Sequence, residues 1–125
     1  ADTLETDIWK LMDNINQSHQ KAINTTLDKL LEYNVDPNYI LAMIARNLRL
    51  SVQTKYLLDT GNTEKQIASI LKLPPFAIYP IVKSVKNINK DRILLQYKKL
   101  SNLDYEIKTG RIDPILGLSL FTLVL

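Results

Sequence analysis

At 125 residues with 46% apolar side chains, the chain can build one hydrophobic core, and it is too short for several domains. It has no cysteine, which excludes a disulfide framework and thiol chemistry and is compatible with a reducing compartment. The formal charge of +3 is mildly basic, and no stretch resembles a signal or transit peptide. The sequence starts Ala1-Asp2-Thr3, without an initiator methionine, and reads as a piece of a longer protein.

The periodicity is helical throughout, and no segment alternates with period two over a useful length. Asp7 to Ile15 is amphipathic, with Ile8, Leu11, Met12 and Ile15 inward. Ser18 is the expected N-cap of a second helix reaching about Tyr33, with Ile23, Leu27, Leu30 and Leu31 on one side. Asn34 suits the left-handed position that closes it. Asp36-Pro37 pairs a cap with a proline at the first helical position and opens a long helix to about Thr60, closed by Gly61. Its apolar stripe is Ile40, Leu41, Ile44, Leu48, Val52 and Leu58.

Thr63-Glu64-Lys65-Gln66 is a capping box for a fourth helix carrying Ile67, Ile70 and Leu71, which stops at Pro74-Pro75. A fifth helix starts at Pro75 and contains Pro80, where a kink or an irregular first turn is expected. Asn89 caps a sixth helix to Thr109, with Ile93, Tyr97, Leu100, Asp104 and Ile107 on one face and Gly110 beyond its end. Asp113-Pro114 caps the last helix. The fold class is therefore all-α, a compact bundle of six or seven helices in a single domain over residues 1–125.

Catalytic chemistry finds little support. The one histidine, His19, sits in a polar setting and reads as a surface residue rather than a base or ligand. With no cysteine, only carboxylates remain for a metal, and no acid pair falls at i, i+4 in apolar surroundings. Gly61, Gly110 and Gly117 are isolated, so there is no phosphate-cradling loop. Neither a cofactor nor a metal is expected, and the domain reads as non-enzymatic. The one tryptophan, Trp9, is a core-edge residue or an interface anchor.

Charge is uneven. Between Lys65 and Lys99 eight basic residues face a single acid, Asp91, while the N-terminal stretch is acidic at Asp2, Glu5, Asp7 and Asp13. A basic stretch is either a solvated helix surface or a phosphate contact, and Lys83, Lys86, Lys90 and Arg92 are the candidates for the second role. Thr63 to Lys86 also has the look of a helix-turn-helix pair. In a DNA reader the second helix presents polar side chains near its N-terminus to base edges. Here those positions are Pro75, Phe76, Ala77, Ile78 and Tyr79, so any DNA affinity would be weak and non-specific.

The ordered segments carry a resemblance. DIWKLMDNI (Asp7 to Ile15), KAINTTLDKLLEYNVDP (Lys21 to Pro37), IARNLR (Ile44 to Arg49), QIASILKLPPF (Gln66 to Phe76), a KTG turn at Lys108 to Gly110 and a leucine-rich last helix follow one another. Together they are similar to the C-terminal domain of the delta subunit of bacterial DNA polymerase III, part of the sliding-clamp loader. Each motif alone is weak; the specificity lies in their order across essentially the whole chain. Pro80 and Gly117 depart from the clean helices expected there. The resemblance implies a helical collar domain without catalytic residues that holds loader subunits together. It would be the C-terminal fragment of an AAA+-like subunit in the bacterial cytoplasm, at the replication machinery. The alternative is a non-catalytic nucleic-acid-binding helical domain.

The last helix bears on both readings. Ile115, Leu116, Leu118, Leu120, Phe121, Leu123, Val124 and Leu125 surround its axis, and it is too short for a membrane span of about 20 residues. One packed face needs a stripe of only about 100°. One side is therefore expected on the Ile93-Tyr97-Leu100 helix and the other at a neighbouring subunit, with Leu118, Phe121, Leu123, Val124 and Leu125 as the interface candidates.

Overall fold

A computed structural model describes residues 2–17 and 19–123, with the side chains of all of these except 2–5 and 16. Seven helices follow in order: α1 (Asp2–Gln17), α2 (Gln20–Glu32), α3 (Pro37–Asp59), α4 (Glu64–Leu71), α5 (Pro75–Val85), α6 (Lys90–Lys108) and α7 (Pro114–Leu123). No strand occurs among the described residues.

The local signals set the boundaries. The Asp36 carboxylate accepts from the Asn38 N–H at 2.9 Å, and Pro37 takes the first turn of α3. At α4 the Thr63 hydroxyl accepts from the Gln66 N–H at 3.2 Å while the Gln66 side chain accepts from the Thr63 N–H at 2.8 Å, closing the capping box. Asn89 accepts from the Asp91 N–H at 2.8 Å to open α6. Asn34, Gly61 and Gly110 all lie in the left-handed region that ends α2, α3 and α6. Lys72 does the same after α4 without being glycine or asparagine.

Two features differ from the sequence reading. α1 begins at Asp2 rather than Asp7; Leu4, four residues before Ile8, is the one apolar residue that extends the helical spacing into this first turn. Ser18, the expected cap of α2, lies outside the described residues; the cap position falls on His19, whose side chain makes no capping bond. Of the apolar residues α4 carries, Ile67 is buried while Ile70 is exposed. Pro80 does not end α5, and the irregularity sits at its start, where the Ala77 N–H bonds the Pro74 carbonyl at 2.9 Å in a tight i−3 turn.

The core is divided. The main cluster joins α1, α2, the first half of α3, the second half of α6 and α7, around Leu11, Ile15, Ile23, Ile44, Leu100 and Leu118. Two smaller clusters lie at the other end. Ile67, Ala68, Ile78 and Val82 join α4 to α5, and Ile81, Val85 and Ile93 join α5 to α6. Between the main core and these clusters the inward stripes turn polar: α3 buries Asn47, Ser51 and Thr54, and α6 buries Gln96 between Ile93 and Leu100. Long α3 and α6 thus form a spine with α1, α2 and α7 at one end and the α4–α5 pair at the other.

Candidate interaction surfaces

α7 is opened by Asp113, whose Oδ2 accepts from the Ile115 and Leu116 N–H groups at 3.0 and 3.1 Å. The helix touches α2, α3 and α6. Its inward side is Gly117, Leu118, Phe121 and Thr122. Gly117 lets α7 approach α6 closely: a Cβ there would stand 2.6 Å from Leu103 Cδ1. Thr122 is buried yet satisfied, since its hydroxyl donates to the Ser119 carbonyl at 2.9 Å and its own carbonyl accepts from the Gln20 amide.

This geometry corrects two of the interface candidates. Leu118 and Phe121 are 0% and 4% exposed inside the domain's own core, so neither is free to meet a neighbour. They stand on the same side because they are three residues apart on a helix, and Gly117 and Thr122 face inward with them, which turns a different set of leucines outward. Leu123 is 61% exposed; Val124 and Leu125 lie outside the described residues. The outward stripe is Leu116, Leu120 and Leu123, at i, i+4 and i+7, flanked by Ile115. The signal for it was the spacing of these leucines read against the glycine.

The basic candidates gather at the junction of α5 and α6. Lys83 lies in the last turn of α5, Lys86 follows it, and Lys90 and Arg92 open α6; all four are exposed. Among the described residues none has an ion pair. Lys55 of α3 braces the junction by donating to the Lys86 carbonyl at 3.2 Å and pairing with Asp59 at 3.6 Å. The α4–α5 helix pair forms as the sequence suggested, but Ile78 is buried and the outer face of α5 offers Phe76, Tyr79 and Pro80. None of these three is an Arg, Lys, Asn or Gln, the side chains that pair bidentately with base edges.

A third surface surrounds α3. Arg46 and Arg49 line a groove of about 530 Å³ between α3 and α6, floored by Ala42, Ala45 and Leu100. On the other flank of Arg46 lies a cleft of about 150 Å³ walled by Trp9, Tyr39 and Met43. Trp9 is thus no core residue; it is 55% exposed at the seam of α1, α3 and α5. His19 is exposed on the surface, and no group of three metal-ligating side chains occurs among the described residues. No helix among the described residues is long and apolar enough to cross a membrane.

Comparison with known proteins gives concordant matches. Residues 5–125 match the model of the family described as DNA polymerase III delta subunit, C-terminal domain. The chain is 36% identical over its whole length to DNA polymerase III subunit delta of Bacillus subtilis (strain 168), covering 36% of that protein. Among solved structures, the Bacillus subtilis DNA clamp loader delta protein superposes with a TM-score of 0.87 at 35% identity, over 96% of this chain and 35% of that one.

Proposed function

The chain belongs to the family formed by the C-terminal domains of DNA polymerase III delta subunits, and from that premise we propose that it is a collar domain, joining its parent protein to the other members of a clamp loader. The longer polypeptide would carry an AAA+-like region ahead of it and help place the sliding clamp on primed DNA in the bacterial cytoplasm, at the nucleoid. This domain performs no chemistry in that reading; its work is association.

The observation that carries the proposal is the outer side of α7. Leu116, Leu120 and Leu123 stand about half exposed in one stripe, on a helix whose other side is already anchored in the core. Contiguous apolar surface of this kind marks contact with protein. A leucine or phenylalanine fully transferred from water is worth about 1.5–3 kcal/mol. The half of each side chain still in water would therefore add to an interface without loss to the fold. DNA contacts, if made, run through Lys83, Lys86, Lys90 and Arg92 as a non-specific phosphate attraction.

Leu120→Glu in the full-length subunit tests the reading. The exposed position tolerates a charge, so circular dichroism should be unchanged, while co-elution with the other loader subunits on size exclusion should be lost. Normal assembly of a folded Leu120→Glu subunit would remove α7 from the interface.

A further inference from the structure

The outer face of α3 has no part in the α7 reading: neither its groove nor its cleft is lined by an α7 residue. We propose that it is a second docking surface, built to receive an acidic protein segment that also brings one large apolar side chain. Arg46 and Arg49 lie three residues apart, so their guanidinium groups leave α3 on neighbouring lines about 5–6 Å apart at Cβ. Both are exposed, and among the described residues neither has a hydrogen bond or an ion pair. Lys108 on the opposite wall is already committed to Asp104 at 2.8 Å. The two arginines are therefore the groove's open cations, and a planar guanidinium selects a carboxylate through paired parallel hydrogen bonds.

Shape agrees with charge. Ala42, Ala45 and Ser101 leave the groove without bulk, so a partner's backbone can come close to α3. Carboxylates three or four residues apart on a partner helix would match the arginine spacing. Across the crest formed by Arg46, the Trp9–Tyr39–Met43 cleft of about 150 Å³ has the size of one large apolar side chain. Tryptophan, tyrosine and arginine are the residues that dominate protein–protein binding energy when they meet at one patch. A protein segment fits better than a nucleic-acid backbone, because the cleft beside Arg46 takes an apolar side chain, which a phosphodiester chain does not offer.

The test uses the full-length subunit in its reconstituted loader, with Tyr39→p-benzoylphenylalanine as the photoreactive probe and mass spectrometry to identify the adduct. The expected product joins Tyr39 to a protein segment bearing two carboxylates within one helical turn. Its yield should fall at least tenfold in Arg46→Glu/Arg49→Glu, whose exposed positions leave the fold intact by circular dichroism. It should return when the two captured carboxylates are changed to lysine. An adduct to DNA, no protein adduct, a captured segment without carboxylates, or a charge swap that restores nothing would each overturn the proposal.

Discussion

Replacing Gly117 by alanine sets two effects of similar size against each other. In a helix interior the change gains about 1 kcal/mol from backbone entropy. The new Cβ would stand 2.6 Å from Leu103 Cδ1 and 3.4 Å from Ile107 Cδ1, where ordinary carbon contacts begin near 3.5 Å. Leu103 must swing its terminal methyl by about 1 Å, at a cost of about 0.5–1.5 kcal/mol off its rotamer. Because Leu103 is at the edge of the core, it has room to yield in one direction. Gly117→Ala alone should thus change stability by no more than about 1 kcal/mol. Leu103→Ala alone should cost about 2–3 kcal/mol, the low end for a buried leucine. Combined, they should cost less than the sum by about 1 kcal/mol, since the alanine methyl enters the space the leucine leaves. Urea unfolding of the unaltered 125-residue chain and its three variants, followed by circular dichroism, completes the cycle. Additivity within about 0.3 kcal/mol would refute the close approach of α7 to α6.

Two other predictions follow from polar and charged groups. Ser51 and Thr54 bury hydroxyls with no hydrogen-bond partner among the described residues, so Thr54→Val should leave stability unchanged or raise it by about 1 kcal/mol, read as the urea midpoint. A loss above about 2 kcal/mol would mean that the hydroxyl has a partner after all. Lys83→Glu/Lys86→Glu should abolish whatever duplex binding a salt titration detects, and discrimination between duplex sequences by more than about 1 kcal/mol per base pair would contradict a phosphate-only contact.

The helices were legible because their ends are written locally. Asp36, Thr63, Asn89 and Asp113 each cap the helix the sequence assigned to them, and Asn34, Gly61 and Gly110 each take the left-handed turn. Inward faces were legible wherever a stripe was one-sided, as for Ile23, Leu27 and Leu30 on α2. α7 resisted for a physical reason: it is apolar all round, so hydrophobicity does not choose a side. The choice is made by tertiary fit, which draws Gly117 against Leu103 and carries the polar Thr122 inward. α6 was misjudged by a small rotation for a related reason: Ile93 and Leu100 are buried as expected, but Gln96 and Leu103 join them, while Tyr97 and Ile107 only flank the core. The IARNLR segment was visible as a family signature, but the grooves flanking Arg46 exist only once α1, α3, α5 and α6 are assembled.

The most direct measurement of the central claim is the affinity of the full-length subunit for its loader partners, by analytical ultracentrifugation, with Leu116→Ala/Leu120→Ala/Leu123→Ala. Alanine keeps the helix and adds no charge, so the variant removes apolar area alone. Each leucine is 46–61% exposed, leaving roughly half of its burial energy to the interface. Three together should weaken association by about 2–4 kcal/mol, or roughly 30- to 1,000-fold, beyond the loss of stability that the buried half of each leucine imposes on the free subunit, which must remain folded by circular dichroism. Affinity within about threefold of the unaltered subunit, less than 1 kcal/mol, would contradict the assignment of the outer side of α7 to the loader interface.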